Sequence, residues 1–433
     1  LDTSKIDASG ATGGGTVLVG GDWQGSNGVY QATTVTMTEG VSIDASATQQ
    51  GDGGKVVLWS NAHRSDTITR FAGTITARGG DQGGNGGQVE TSGYQLMVEG
   101  GSVNAGANQG SSGLWYLDPT DSTITQAVAN SYRTTLNTGT DVLNEVTGTI
   151  TWSAGVTLNK TAGGDASLTL RAGSVTGSDI TLNSPNITST SGALNLVLWT
   201  RYNTEGHSGT ISITGGTINT NGGHVWMGGG NADTNAWNGL TVGRSTTATW
   251  SANVQGIYIG TTSISTGAGS IKMAGLSWDT GVGNGTSNYG VWVDRGSSLQ
   301  TTTGSLTVEG EVKGKFVSGI GTMIGTRSDA GNVTLQTGVG AISITGSGSD
   351  GAAGTSTGNR HGLVVYGGNA NDVITVKSHS GAITLTGTAA FNHSNNDVSG
   401  IQFQNNNNNI TSSRILVVSQ TGQISLQGST INA

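Results

Sequence analysis

The chain has 433 residues, of which 76 are glycine and two, Pro119 and Pro185, are proline. Glycine at about 18 % against the usual ~7 %, with only two prolines and no Gly-X-Y period, excludes collagen, and the 33 % hydrophobic and 10 % charged fractions exclude a disordered chain. A net charge of −8 with no Lys/Arg cluster argues against nucleic acid or an anionic membrane as partner, and the lack of cysteine excludes disulfides and thiolate chemistry while suiting export through an oxidising space.

No signal peptide is visible, and no apolar run approaches the roughly 20 residues of a membrane helix, so if the protein is exported its targeting segment lies outside this sequence. From the N-terminus a unit recurs: an aliphatic residue, x-Ala, a glycine-rich turn, then an alternating strand. It begins at Ile6, Ile43, Ile75 and Val103, at spacings of 37, 32 and 28 residues. The strands that follow are Gly14-Gly15-Thr16-Val17, Gly53-Gly54-Lys55-Val56, Gly86-Gly87-Gln88-Val89 and Ser112-Gly113-Leu114-Trp115. Next comes the one segment outside the strand pattern, Ser122 to Asn137, where Ala127, Val128, Tyr132 and Leu136 could form one short helix or an irregular crossing.

Aligning Leu196-Val197-Leu198-Trp199 with Val56-Val57-Leu58-Trp59 turns Leu196, Leu198, Val56 and Leu58 inward and leaves Val57, Trp59, Val197 and Trp199 outward. The same register places Val225 and Met227 in the core and Trp226 outside. Further on, Gly-x-aliphatic-x-aliphatic-x-Gly begins at Gly269, Gly304, Gly340, Gly381 and Gly422, at spacings of 35, 36, 41 and 41 residues. Two more strands fall between successive copies, as in Gly290-Val291-Trp292-Val293, Gly362-Leu363-Val364-Val365 and Gly400-Ile401-Gln402-Phe403, and as in Val333-Thr334-Leu335 and Ile374-Thr375-Val376.

Short β-branched strands, three to a unit, with glycine at the corners predict an all-β parallel β-helix with three faces and very little helix. Right-handed crossover is the default for parallel strands. About 36 residues per coil gives roughly 12 coils, stacked over on the order of 60 Å. No linker divides the sequence, so one extended body is expected. Residues Leu1 to Ala11 start inside a repeat, and the sequence stops in strand-like residues after Ile431. Neither end reads as capped, which predicts either a longer rod or copies stacked end to end.

The residues Gly86-Gly87-Gln88-Val89-Glu90-Thr91-Ser92-Gly93-Tyr94, Val103-Asn104-Ala105 and Leu114-Trp115-Tyr116-Leu117-Asp118-Pro119 resemble the region of bacterial two-partner-secretion exoproteins that ends in a tryptophan-leucine-aspartate-proline-like signature. Filamentous haemagglutinin-like proteins and high-molecular-weight adhesins are of this type. The specific resemblance covers residues 1–119; residues 120–433 continue the repeat style with longer corner loops. It implies a right-handed β-helix, export by an outer-membrane transporter partner, and a secreted, extracellular or cell-surface location with roles in adhesion, biofilm or fibres. The chain departs from the family in lacking the secretion domain with its asparagine-proline signature.

Polysaccharide-degrading β-helices are the rival class, and they need carboxylates converging on one face. The candidates are Asp294 with Arg295, Asp233 near Trp237, and Asp279 beside Trp278; no Asp-Asp pair occurs, and single acids in glycine-rich corners read as turn formers. Ser378-His379-Ser380-Gly381 has the look of a pectinase turn without its acidic partners. The histidines His63, His207, His224, His361, His379 and His393 have no ligand spacing, and Gly346-Ser347-Gly348-Ser349-Asp350-Gly351 is half of a calcium nonapeptide occurring once. No catalytic residue, metal or cofactor is therefore expected. The sequons at Asn159, Asn186, Asn284, Asn332, Asn392 and Asn409 are no more than chance supplies, and Asn405 to Asn409 reads as a polar corner loop. Ten tryptophans against four phenylalanines make the outward rings Trp59, Trp199, Trp226 and Trp292 the candidates for contact with a glycan or a host or neighbouring cell surface, the alternative being rings covered by long loops.

Overall fold

The computed structural model describes residues 4–173, 178–200, 209–230, 235–243, 247–249, 255–279, 287–314, 318–326, 330–349, 359–368, 371–391, 397–405 and 413–432. Among them, strands dominate and nearly all pair in parallel. The fold is a parallel β-helix. Two compact units divide it: Leu1–Arg171 with Asn186–Val197, and Ala172–Pro185 with Leu198–Ala433.

In the first unit the sequence repeats stack residue on residue. Ile6, Ile43, Ile75 and Val103 form one column, and Val17, Val56, Val89 and Trp115 form another. Apart from the first coil, these side chains are buried. Parallel pairing in fixed register lets each coil cover the apolar row of the one before it, so one period-2 pattern serves every layer. Glycine carries the corners. A methyl on Gly53 or Gly86 would lie far inside the contact distance to a carbonyl oxygen, that of Ala77 or Ala105 respectively.

The short helix exists, as strand Ser122–Ile124 followed by helix Gln126–Leu136. Thr125 caps it by accepting from the Val128 N–H at 3.3 Å. Its inner face buries Val128, Ala129, Tyr132 and Leu136, with Tyr132 edge-on to Trp115. The helix stands in for one strand. Hydroxyls replace the missing backbone partners: Ser131 Oγ donates to Val98 O at 2.7 Å, and Thr135 Oγ1 accepts from Val103 N–H at 3.1 Å. On its other side Gln126 clasps Thr157, accepting from its N–H at 2.9 Å and donating to its carbonyl at 2.9 Å.

In the second unit three parallel faces recur. Ile271, Leu306, Ile342, Ile383 and Ile424 align on one; Ile257, Val291, Thr322, Leu363 and Ile401 on the second; Ile264, Leu299, Leu335, Val376 and Val417 on the third. Gly321-Thr322-Met323-Ile324 is a member of the second column that the sequence alignment passed over. One corner is a hydroxyl three residues before a glycine. Thr266, Thr301 and Thr337 each donate to the carbonyl of Gly269, Gly304 and Gly340, and Ser378 occupies the same column. The Ser378-His379-Ser380-Gly381 sequence is thus this corner.

At a second corner two glycine columns face each other. Gly275, Gly310, Gly346, Gly387 and Gly428 run in register along one face. Gly290, Gly321, Gly362 and Gly400 oppose them from the neighbouring face, so closely that a methyl on Gly310 or Gly346 would overlap the carbonyl oxygen of Gly321 or Gly362. The two sheets meet here backbone to backbone, and the strands run on past this waist.

Candidate functional site

The outward rings expected at Trp59, Trp199 and Trp226 are each only 1 % exposed. They leave the coil interior as their strands dictate, but other chain covers them, so the reading of these three as contact surface is corrected. Trp292 is half-buried, packs against a cluster of Tyr289, Ile320, Met323, Val364 and Tyr366, and donates Nε1–H to Gly325 O at 2.8 Å. Val57 and Val197 are buried too.

Over Trp59 lies residues 20–31, a strap crossing the outside of the strands Lys55–Trp59, Gln88–Ser92 and Leu114–Asp118. Glycine lets it lie this low: Gly25, at φ +65°, passes directly over the Trp59 indole. Trp59 Nε1–H donates to Gln31 Oε1 at 3.3 Å, and Gln31 Nε2 donates to Gly25 O at 3.0 Å. Asp22 starts the strap's single helical turn, accepting from Trp23 N–H and Asn27 Nδ2, both at 2.7 Å. Trp23 then stacks on Tyr116, with ring centroids 5.6 Å apart and 23° between planes.

Beneath the strap is a group of acids. Val57, Glu90 and Tyr116 share one outward column, and Trp59, Ser92 and Asp118 share the next. Glu90 is buried; its carboxylate accepts from Gln24 N–H at 2.9 Å and from Ser92 Oγ at 2.9 Å. Gln24 makes the first bond from a left-handed backbone, φ +51°, unusual for a residue with a side chain. Its Nε2 reaches Tyr116 Oη at 3.2 Å, and the Tyr116 hydroxyl donates to Glu145 Oε2 at 3.0 Å. Arg171 pairs with the same Glu145 oxygen. Burial pushes the Glu90 carboxyl up to about 7, against the opposing pull of its two hydrogen bonds, with Asp118 and Asp22 adding repulsion. Burial likewise raises the Tyr116 phenol.

Acid, phenol and guanidinium meet here, and sequence reasoning missed the group. Its signal was present: aligned repeats put Glu90 beside Tyr116, and the acid of the Leu117-Asp118-Pro119 signature lies one outward step on. Glu145, on strand Asp141–Val146, belongs to no recognised repeat.

In the second unit, Trp199 donates Nε1–H to Gly230 O at 3.1 Å and meets Trp226 edge-on, centroids 6.4 Å apart. Gly243, just after the antiparallel pair Asn235–Trp237 and Leu240–Val242, leaves room for the Trp199 indole. His224 packs edge-on against Trp237, and its Nδ1 accepts from Ser270 N–H at 2.9 Å. Asp294 is buried, bonded to the Tyr258 hydroxyl at 2.8 Å and to Arg295 N–H at 2.7 Å. The other acid candidates are not brought to it: Asp233 and the side chains of Trp278 and Asp279 lie outside the described residues, as do His207, His393, Asn284, Asn392, Asp350, Gly351 and residues 406–409.

Single acids in corners act between coils. Asp52 Oδ1 accepts from Asn85 N–H at 2.7 Å, Asn85 Oδ1 from Ser111 N–H at 2.9 Å, and Asp165 Oδ1 from Ala193 N–H at 2.7 Å. Among the described residues no group of three or more His, Cys, Asp or Glu is placed to hold a metal ion, and no helix is long and apolar enough to cross a membrane. Neither known protein-family models nor curated proteins match the chain.

Proposed function

We propose that the chain is a β-helical part of a secreted, non-catalytic surface protein of the two-partner-secretion exoprotein type, serving adhesion or an extracellular fibre. The observation that carries this reading lies on the outer surface of the solenoid: several of its acids are engaged by the protein's own groups. Glu90 lies under a strap, Glu145 takes the Tyr116 hydroxyl and pairs with Arg171, Asp294 is bonded to Tyr258, and corner acids clamp neighbouring coils. A polysaccharide enzyme instead needs carboxylates open to a chain lying along the face.

The resemblance at residues 86–119 supports export through an outer-membrane transporter to the extracellular side. Trp292, half-buried beside Tyr289 and Tyr258, is the remaining candidate from the original four for contact with a glycan or cell surface. Assay on acidic polysaccharides tests the main reading: no turnover is expected, and sustained release of sugar ends would replace it with the enzyme reading.

A further inference from the structure

We propose that residues 20–31 form a releasable strap, held on the solenoid by protonated Glu90 and freed when that carboxyl ionises, so that Trp59 and Tyr116 become accessible at higher pH. The strap is itself largely exposed from Ser26 to Tyr30, while the groups it covers are sealed. Its attachments converge on a small area: Gln24 N–H on Glu90, Gln24 Nε2 on Tyr116, the Trp23 ring on Tyr116, and Gln31 on Trp59. Three of them pass through the Glu90–Tyr116 column.

Charge around Glu90 sets the direction. Asp22 faces it from the strap, Asp118 from the adjoining strand, and Glu145 lies beyond Tyr116. Among the cations, Arg171 pairs with Glu145, and Lys55 acts on Asp22. Glu90 itself receives only the neutral donors Gln24 and Ser92. Ionising it therefore places a charge in a buried, acid-rich pocket, and lifting the strap gives that charge water. The ionised form gains from the Gln24 and Ser92 bonds, but burial outweighs them and pushes the covered carboxyl up to about 7 from the ordinary 4.5. Linkage between these values makes the open fraction rise on the order of fifty-fold between pH 5 and pH 8.

Hydrogen exchange of the full chain, corrected for intrinsic rates, reads this directly. Peptides covering residues 22–31 are expected to lose protection by roughly that factor from pH 5 to pH 8, while peptides over residues 340–349 keep theirs. In Glu90→Gln the strap peptide should exchange with no pH dependence. Equal strap protection at both pH values, or a slope that survives in Glu90→Gln, overturns the proposal. Should that variant fail to fold, carboxyl-resolved NMR titration of the unaltered protein decides: a Glu90 midpoint near 7 supports the strap, and one near 4.5 overturns it.

Discussion

A tryptophan that points away from a coil is not thereby a surface residue. Trp59 leaves the interior as alternation requires, and then lies under Gly21 and Gly25 with its N–H on Gln31. Removing the ring would open a cavity beneath the strap. Trp59→Ala should cost about 3–5 kcal/mol, measured by denaturant unfolding; a loss under about 1 kcal/mol would mean the ring is not packed as described. Direction could be read from period 2, because it is local. The cover could not, because it comes from residues some 30 positions away. One hint lay in the spacings: Ile6 to Ile43 is 37 residues while Val103 follows Ile75 by 28, and the longer first period includes the strap. Glu145 gave no such hint, since it lies on a strand outside the repeat and meets Tyr116 only once the coils stack.

Elements repeat here because the joints between them are identical. The columns Ile6–Ile43–Ile75–Val103 and Ile342–Ile383–Ile424 were legible in advance, since identical register needs identical spacing of glycine and aliphatic residues around each corner. The opposed glycine columns were only half legible. Gly290, Gly362 and Gly400 stood out as strand openers; that they face Gly275, Gly346 and Gly387 across a waist required two sheets to be brought together. Gly310→Ala tests the waist, because its methyl would meet the Gly321 carbonyl and force the sheets apart. Overpacking of this kind typically costs about 1–3 kcal/mol, so the variant's melting temperature should fall by several degrees. An unchanged melting temperature would mean that the sheets have room between them. The helix Gln126–Leu136 follows another logic: it breaks the repeat, yet Ser131, Thr135 and Gln126 supply hydrogen bonds that a strand would have made.

Among the described residues, burial pushes two carboxyls of the first unit well above their ordinary range. Glu90 rises from 4.5 to about 7, and Asp141, chiefly through burial, from 3.8 to about 6. An acid whose folded value is raised holds its proton more tightly when folded. Its contribution is fully present below the unfolded value and is lost as pH climbs through the folded one. Stability against urea should therefore fall between about pH 4 and pH 7, by on the order of a few kcal/mol, and level off above that. Rising stability across this window would contradict the burial of both groups. The 26 acidic residues counted in the sequence gave no sign of which two would behave this way, because burial by a distant segment decides it.

The waist of paired glycines also bears on how such a chain changes length over generations. Gly310 and Gly346 occupy equivalent places, each opposite a glycine of the next face, so a genetic exchange joining one to the other would remove a whole coil and leave a junction of the same kind. An insertion or deletion of one or two residues at the waist would instead bring a side chain against a carbonyl. Inheritance through this segment is thus quantised: whole coils can come and go, while fractions of one are confined to the loops.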